Sequence, residues 1–284
     1  MVGKNKLRKL WYSLSANQRY AVRRLYYLPA DILDKLRAKR PKYVPPRGIV
    51  YTGGTGDPEE FVREGIHQRK LLKKYLDLQP DNGILDIGSG IGRTAIALVD
   101  HLSADGFYEG FDVVEIGVNW CNKKIRKDHS NFNFTYVPLF NDLYNTQVEK
   151  ASEFIFPYPD IHFDKIYSFS VFTHMAIDEI RNYLMESRRV LNKSGSCLST
   201  FFIYNDNNEN YISSNDNFKF PYKKNGFRLM DENVTAGNIA IHEETLREMM
   251  TEAGFSNVRI IEGFWKDEVR DPNKEEYQDI VLYS

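Results

Sequence analysis

The chain has 284 residues, 42% hydrophobic and 27% charged, a balance that suits one large folded domain with an accessory piece. No apolar run approaches the roughly 18 residues of a membrane span, and Cys121 and Cys197 stand far apart without metal-ligand spacing, which reads as reduced, buried thiols in a cytoplasmic protein. The net charge of −1 hides an asymmetry: residues 1–47 hold 13 Lys+Arg against 2 Asp+Glu, and the remainder 25 against 37, a split that often signals an anionic partner for the basic part.

Leu7, Leu10, Trp11 and Leu14 fall at helical spacing. Ser15, with Gln18 three residues later, fits a capping box that starts a second helix. That helix carries Ala21, Val22, Leu25 and Leu28 and is expected to stop near Pro29, with Asp31 capping a third short helix through Leu36. Tyr12, Tyr20, Tyr26 and Tyr27 interleave with Arg19, Arg23 and Arg24. Two readings of this segment stay open. It is a helical cap packed on the main domain or on a second subunit, or a basic amphipathic surface lying peripherally on an anionic membrane. The acidic remainder argues against a long basic track, so no nucleic-acid partner is expected. The proline-rich stretch 40–47 reads as a linker, dividing a helical extension, 1–47, from a main domain, 48–284. After a glycine-rich loop from Tyr51 to Gly56, Asp57-Pro58-Glu59-Glu60 is a strong helix start, and the helix runs to about Leu76.

Ile84-Leu85-Asp86-Ile87-Gly88-Ser89-Gly90-Ile91-Gly92-Arg93 then reads as a short apolar strand, a glycine-rich turn and the start of a helix. Glycine lets backbone approach a ligand closely at such a turn. In a doubly wound sheet, the first strand-to-helix crossing is where a nucleotide-like ligand sits. The dinucleotide fingerprint requires a third glycine three residues after the second. Here the glycines stand at 88, 90 and 92 and position 93 is Arg, so a pyrophosphate turn is disfavoured. A carboxylate at Asp86 would repel pyrophosphate but can hold an ammonium group or a bridging water. A second strand, Phe107 to Asp112, ends in an acid 20 residues after Gly92.

These features resemble motif I and the acidic end of the second strand in the class I S-adenosylmethionine-dependent methyltransferases. The resemblance implies S-adenosyl-L-methionine as cofactor. It places Asp86, Gly88, Ser89, Gly90 and Gly92 in the donor turn, Asp112 on the ribose hydroxyls, and Val113 beside it. Tyr51 and Phe61 become candidates for a lid over the cofactor, against a plain packing role. A third strand, Phe132 to Val137, follows a helix near Gly117 to Lys127. Where the family often has a polar residue for adenine, this chain has Pro138, so the backbone of Leu139 is the substitute.

Residues 141–160 form an insertion with Tyr144, Phe154, Phe156 and Tyr158. Strand four, Phe163 to Phe169, runs into Ser170-Val171-Phe172-Thr173-His174-Met175. This stretch resembles the motif IV region of small-molecule methyltransferases, which implies Ser170 beside the donor and His174 beside the acceptor. His174 is the first candidate for a general base and His242 the second. Asp164 and Asp178 do not compose a divalent-metal cluster, and no metal site is expected. Asp178 to Leu191 is an amphipathic helix with Ile180, Leu184 and Met185 on its apolar side, and Cys197 to Tyr204 a fifth strand. Residues 205–217 hold 6 Asn and read as a polar, mobile excursion; the whole of 205–240 is a candidate substrate lid. A helix from Glu243, a strand from Asn257 and a strand from Tyr277 close the domain.

The expected fold is α/β, a doubly wound, seven-stranded, mostly parallel sheet of order 3-2-1-4-5-7-6. The function implied is methyl transfer to a small-molecule or glycan acceptor, with a sugar hydroxyl, on a lipid-linked carrier or free, leading. The alternative is a cofactor-binding scaffold without turnover. The sequence does not specify an oligomeric state.

Overall fold

The computed structural model of the chain describes residues 14–37, 40–51, 56–140, 149–216, 218–232, 234 and 237–284. The helix expected around Leu7 and Trp11 lies outside them, as do the glycine-rich loop tip and the first part of the 141–160 insertion. Helix α1, Ala16–Leu36, opens with the expected capping box: Ser15 accepts from the Gln18 N–H and the Gln18 side chain accepts from the Ser15 N–H. It does not stop at Pro29. The helix continues through it, with the proline ring exposed to solvent. Asp31 caps nothing. Its carboxylate instead accepts from Arg40 and from the backbone N–H groups of Arg47 and Gly48, which pins the proline-rich stretch to the helix.

Helix α2, Pro58–Leu76, starts as expected, with Asp57 accepting from the N–H groups of Glu59 and Glu60. The main sheet then assembles from β1 (Gly83–Ile87), β2 (Phe107–Asp112), β3 (Phe132–Tyr136), β4 (Phe163–Ser168) and β5 (Leu191–Phe201). After the accessory strands described below, β10 (Val258–Ile261) and β11 (Asp279–Tyr283) complete it. The order is β3-β2-β1-β4-β5-β11-β10, with β11 antiparallel to its neighbours. Counting the strands of this sheet alone, that is 3-2-1-4-5-7-6. Every residue of β1 is buried, as a central parallel strand covered on both faces requires. Ile84 joins the apolar layer with Leu72, Ala95 and Val118, while Leu85 and Ile87 join the layer with Phe111, Ile166 and Leu184.

Helix α3 (Arg93–Leu98) follows β1, α4 (Glu115–Cys121) follows β2 and α5 (Ile177–Val190) follows β4. Met185, expected on the buried side of α5, is exposed, while Ile180 and Leu184 are buried. The fifth strand begins earlier than expected and ends at Phe201. From there the chain enters a second, four-stranded sheet of order β6-β9-β8-β7, made of β6 (Ile203–Tyr204), β7 (Tyr222–Lys223), β8 (Phe227–Leu229) and β9 (Ile239–His242). The polar stretch after β6 thus holds structure of its own. Helix α6 (Glu209–Ser214) buries Ile212 against Phe202, Phe220 and Trp265. Arg228 ties the piece together by donating to the Phe220 and Pro221 carbonyls and to Glu209. Helix α7 (Glu243–Glu252) returns the chain to the main sheet.

Candidate active site

The strand order reverses beside β1, with β2 on one side and β4 on the other. The carboxyl ends of these strands therefore open a crevice at the switch point, the usual ligand site of such sheets. A cavity of about 270 Å³ lies there, just below the ~300–1,000 Å³ typical of small-molecule sites.

The glycine turn folds back onto β2, because the N–H groups of Gly88 and Ser89 both donate to the Phe111 carbonyl at 2.9 and 3.0 Å. Gly88 has φ +77°, and a Cβ there would meet Val171 at 2.4 Å. Only glycine lets the loops after β1 and β4 approach this closely. Beyond it, the Gly90 N–H donates to Asp112 Oδ2 at 2.8 Å, and the Val114 N–H to Oδ1 at 2.8 Å. The Tyr51 hydroxyl reaches Oδ1 at 3.4 Å. These donors favour the carboxylate, yet burial outweighs them and pushes the Asp112 carboxyl up to about 6.

Asp86 sits differently. Tyr108 and Tyr167 both donate to its Oδ2, at 2.6 and 2.9 Å, and burial pushes its carboxyl up to about 7. Gly110, its register partner on β2, leaves room for this arrangement: a Cβ at 110 would lie 2.9 Å from the Tyr108 hydroxyl. Asp86, Ser89, Gly90 and Gly92 shape the turn without lining the cavity. Gly88, Asp112, Val113, Leu139, Ser170 and His174 line it together. The Leu139 N–H is already given to the Val137 carbonyl at 2.9 Å, so it is not the donor that would read adenine.

The other wall comes from the end of β4. Ser170 has φ +58°, an uncommon conformation for a side-chain-bearing residue. It is held there by its N–H to Thr200 Oγ1 at 2.8 Å and its hydroxyl to Gln278 at 2.9 Å. A short 3₁₀ turn, Phe172–His174, follows. Phe172 stacks on Phe201 with centroids 5.0 Å apart, which sets His174 at the cavity wall. Met175, Glu179 and Tyr183 stand on the same side, and the Glu179 carboxylate caps α5 by accepting from the Ala176 N–H at 2.8 Å. His242 ends β9, 3.5 Å from Asp206 and outside the cavity lining, and none of the described residues from 205–240 lines it.

Gln68, Arg93, Val114, Ala151, Glu179 and Tyr183 also line the cavity, and the sequence alone does not assign them to the site. Arg93 could have been found as the first residue of the helix after the glycine turn. Its guanidinium lies over the Phe61 ring at 5.5 Å, and burial pulls it below its ordinary value. Tyr51, weighed as a lid residue, joins the cavity wall, whereas Phe61 is buried in the core. Among the described residues no group of His, Cys, Asp and Glu is placed to hold a metal ion.

The cavity residues fit an adenosyl sulfonium donor. Asp112 offers acceptor capacity for paired hydroxyls, Val113, Phe111 and Leu139 offer apolar wall, and Arg93 offers a cation for a carboxylate.

Residues 84–195 match the family model of a methyltransferase domain. Among solved structures, the chain is similar to a protein of Pyrococcus horikoshii OT3 at 16% identity, covering 78% of this chain and 90% of that one, with a TM-score of 0.51. It is likewise similar to a chain of the complex between the Haloferax volcanii Trm112 methyltransferase activator and a methyltransferase, at 14% identity, 79% and 92% coverage and a TM-score of 0.50. A further match is an S-adenosylmethionine-dependent methyltransferase from Aquifex aeolicus, at 18% identity, 80% and 97% coverage and a TM-score of 0.49. The first two support the fold, and the family model supports the methyltransferase domain.

Proposed function

We propose that this chain, which carries a methyltransferase domain of the class I S-adenosylmethionine-dependent family, methylates a hydroxyl of a small-molecule or glycan acceptor, with His174 as the general base. The observation that carries the reading is that one cavity joins Gly88 and Asp112 on the β1/β2 side to Ser170 and His174 on the β4 side. S-adenosylmethionine supplies an activated methyl on a sulfonium. The chain's own residues then have three tasks. Asp112 and the glycine turn fix the adenosyl end. Val171, Met175 and Tyr183 wall the acceptor end against water. His174 takes the proton that a hydroxyl loses as its oxygen attacks. Alignment of the two reactants supplies most of the acceleration expected of such a site, and proton removal adds roughly 10²–10⁴-fold.

The test is transfer of labelled methyl from S-adenosylmethionine into small-molecule and envelope extracts, by wild type and by His174→Gln. The expected result is a product whose label sits on oxygen, formed by the variant about 10²–10⁴-fold more slowly with unchanged donor affinity. Equal rates would remove His174 as base, and label on nitrogen or sulfur would overturn the hydroxyl assignment. Cofactor binding without turnover is the rival reading, kept open by Pro138 as a mark of a degenerate site. It predicts donor binding with no labelled product in any extract.

A further inference from the structure

Helix α1 is packed with its polar side inward. The residues turned toward the body are Arg23, Tyr27, Asp31 and Asp34, at helical spacing. The two acids are fixed by polar bonds to the following segment. Asp31 takes the Arg47 and Gly48 N–H groups at 2.7 and 3.0 Å, Asp34 takes the Arg47 guanidinium at 2.9 Å, and Arg23 lies over the Tyr27 ring at 5.1 Å. Arg47 holds the Asp34 carboxyl below its ordinary value. The apolar residues Val22, Leu25, Ile32, Leu33 and Leu36 are left on the outside, with Leu25 72% and Leu36 79% exposed. With Pro29 they make a continuous stripe at 22, 25, 29, 32 and 36. A helix that faces its own domain with its polar side has its apolar stripe available for something else.

Charge decides what that is. Every charged residue of 16–37 that is exposed is a cation: Arg24, Lys35 and Arg37. By helical geometry Arg24 and Lys35 border the stripe on one side and Arg37 on the other. Both acids of the helix are turned inward and bound to arginines. A second copy of this helix laid on the stripe would bring like charges together with no exposed acid to offset them. An apolar stripe between snorkelling cations instead matches an anionic lipid interface. Among the described residues no helix is long and apolar enough to cross a membrane, so contact would be with the surface.

We propose that the outer face of α1 docks the protein on an anionic membrane surface, the aliphatic stripe entering the headgroup region and Arg24, Lys35 and Arg37 meeting lipid phosphates. The contact leads to the cavity. Tyr20 of α1 meets the Tyr51 ring edge-on, with centroids 6.0 Å apart, and the Tyr51 hydroxyl reaches Asp112. A docked α1 therefore sets the cavity wall at Tyr51 and Asp112 one helix diameter, about 10 Å, from the lipid surface.

The experiment is co-sedimentation of the full chain with vesicles of phosphatidylcholine containing phosphatidylglycerol, against phosphatidylcholine alone, at low and raised salt. Wild type should bind the anionic vesicles and be released by salt. The triple variant Arg24→Glu/Lys35→Glu/Arg37→Glu and the double variant Leu25→Glu/Leu36→Glu should each lose about tenfold or more in partition. Lys193→Glu, an exposed change on the main domain, should bind like wild type. Donor binding by calorimetry shows that each variant is folded, since the altered residues are all exposed. The proposal fails if wild type ignores anionic vesicles or if the α1 variants bind as wild type does. It fails equally if wild type is a dimer in solution that Leu25→Glu/Leu36→Glu separates, which would give the stripe to a second copy.

Discussion

Asp112, in the cavity, and Asp279, at the joint between the two sheets, are both buried carboxylates that burial pushes upward, but their surroundings differ in what they leave unused. Asp279 Oδ2 accepts from the Ile203 N–H at 2.7 Å and the Trp265 indole at 2.6 Å, and Oδ1 from the Gly263 N–H and the Lys266 ammonium, both at 2.9 Å. Lys266 also donates to the Ile203 carbonyl, so one buried ion pair clasps the end of the main sheet to the start of the accessory one. Asp112 has no cationic partner among these contacts. Its two short bonds are to backbone N–H groups, and Oδ2 takes only one of them. An ionised carboxylate has about four lone-pair sites. At Asp279 they are used by the fold, whereas at Asp112 one edge remains for a ligand. A buried acid is thus informative only once its donors are counted.

The comparison breaks most visibly at the joint. Asp279→Ala leaves the buried Lys266 ammonium only the half-exposed Glu262 carboxylate at 3.4 Å and orphans the Trp265 indole and the Ile203 and Gly263 N–H groups, so urea unfolding should show a loss of about 3–5 kcal/mol. Donor affinity of the protein that remains folded should be unchanged. A loss below about 1 kcal/mol would mean that the pair is no more than a surface-grade contact.

Asp112→Ala should invert that pattern. Calorimetry with S-adenosylhomocysteine should show binding weakened by about 1.5–3 kcal/mol, the range for hydrogen bonds to a charged group. The urea midpoint should move much less than for Asp279→Ala, because a desolvated carboxylate is removed along with its bonds. Unchanged affinity would put the ribose elsewhere.

Gly90 tests the backbone that holds Asp112. Its φ is +58°, and its N–H is one of the short bonds to Asp112. Gly90→Val places a β-branched residue in the left-handed region, at a cost of roughly 1–2 kcal/mol. That strain should appear as a modest stability loss with donor binding abolished. A variant that binds normally would show that the turn does not touch the donor.

The parts of this arrangement that were legible in the sequence are those governed by local rules. Asp57-Pro58 starts a helix because a capping side chain and a fixed proline φ act within one turn, and the β1–turn–helix pattern needs only glycines and apolar alternation. Asp86 and Asp112 look alike in sequence, as acids near strand ends. What separates them is which side chains on neighbouring strands reach them: Tyr108 and Tyr167 cover Asp86, and that depends on register across three strands. Pro29 misleads because an exposed helix side tolerates one missing hydrogen bond when the remaining turns are held from below by Asp31 and Asp34. The stretch after Tyr204 misleads for a related reason. Its asparagines lie at turns, while the residues that build its core, Phe202, Phe220 and Trp265, are spread over more than sixty positions.

The last effect is the most specific, because it runs in two directions at once. In the folded chain burial raises Asp112 from its ordinary 3.8 to about 6. A carboxyl whose folded value exceeds its unfolded one penalises the charged folded form. Asp112 therefore destabilises the free fold above about pH 6, and the penalty is relieved as pH falls from about 6 toward 3.8. Asp86, raised to about 7 by burial, titrates nearby with the same sign, so wild type alone would not isolate the effect. Asp112→Asn keeps the shape and removes the titration. The stability of wild type relative to Asp112→Asn should shift in favour of wild type between about pH 7 and about pH 4.5. Donor binding should move the other way. If Asp112 accepts from the ribose hydroxyls, protonation leaves them only a weaker, neutral acceptor, and Kd for S-adenosylhomocysteine should rise below pH 6 by up to about tenfold per pH unit. In Asp112→Asn that dependence should vanish. A Kd that stays level across the window in wild type would mean that Asp112, like Asp279, is spent on the fold and that the donor is held by other residues of the cavity.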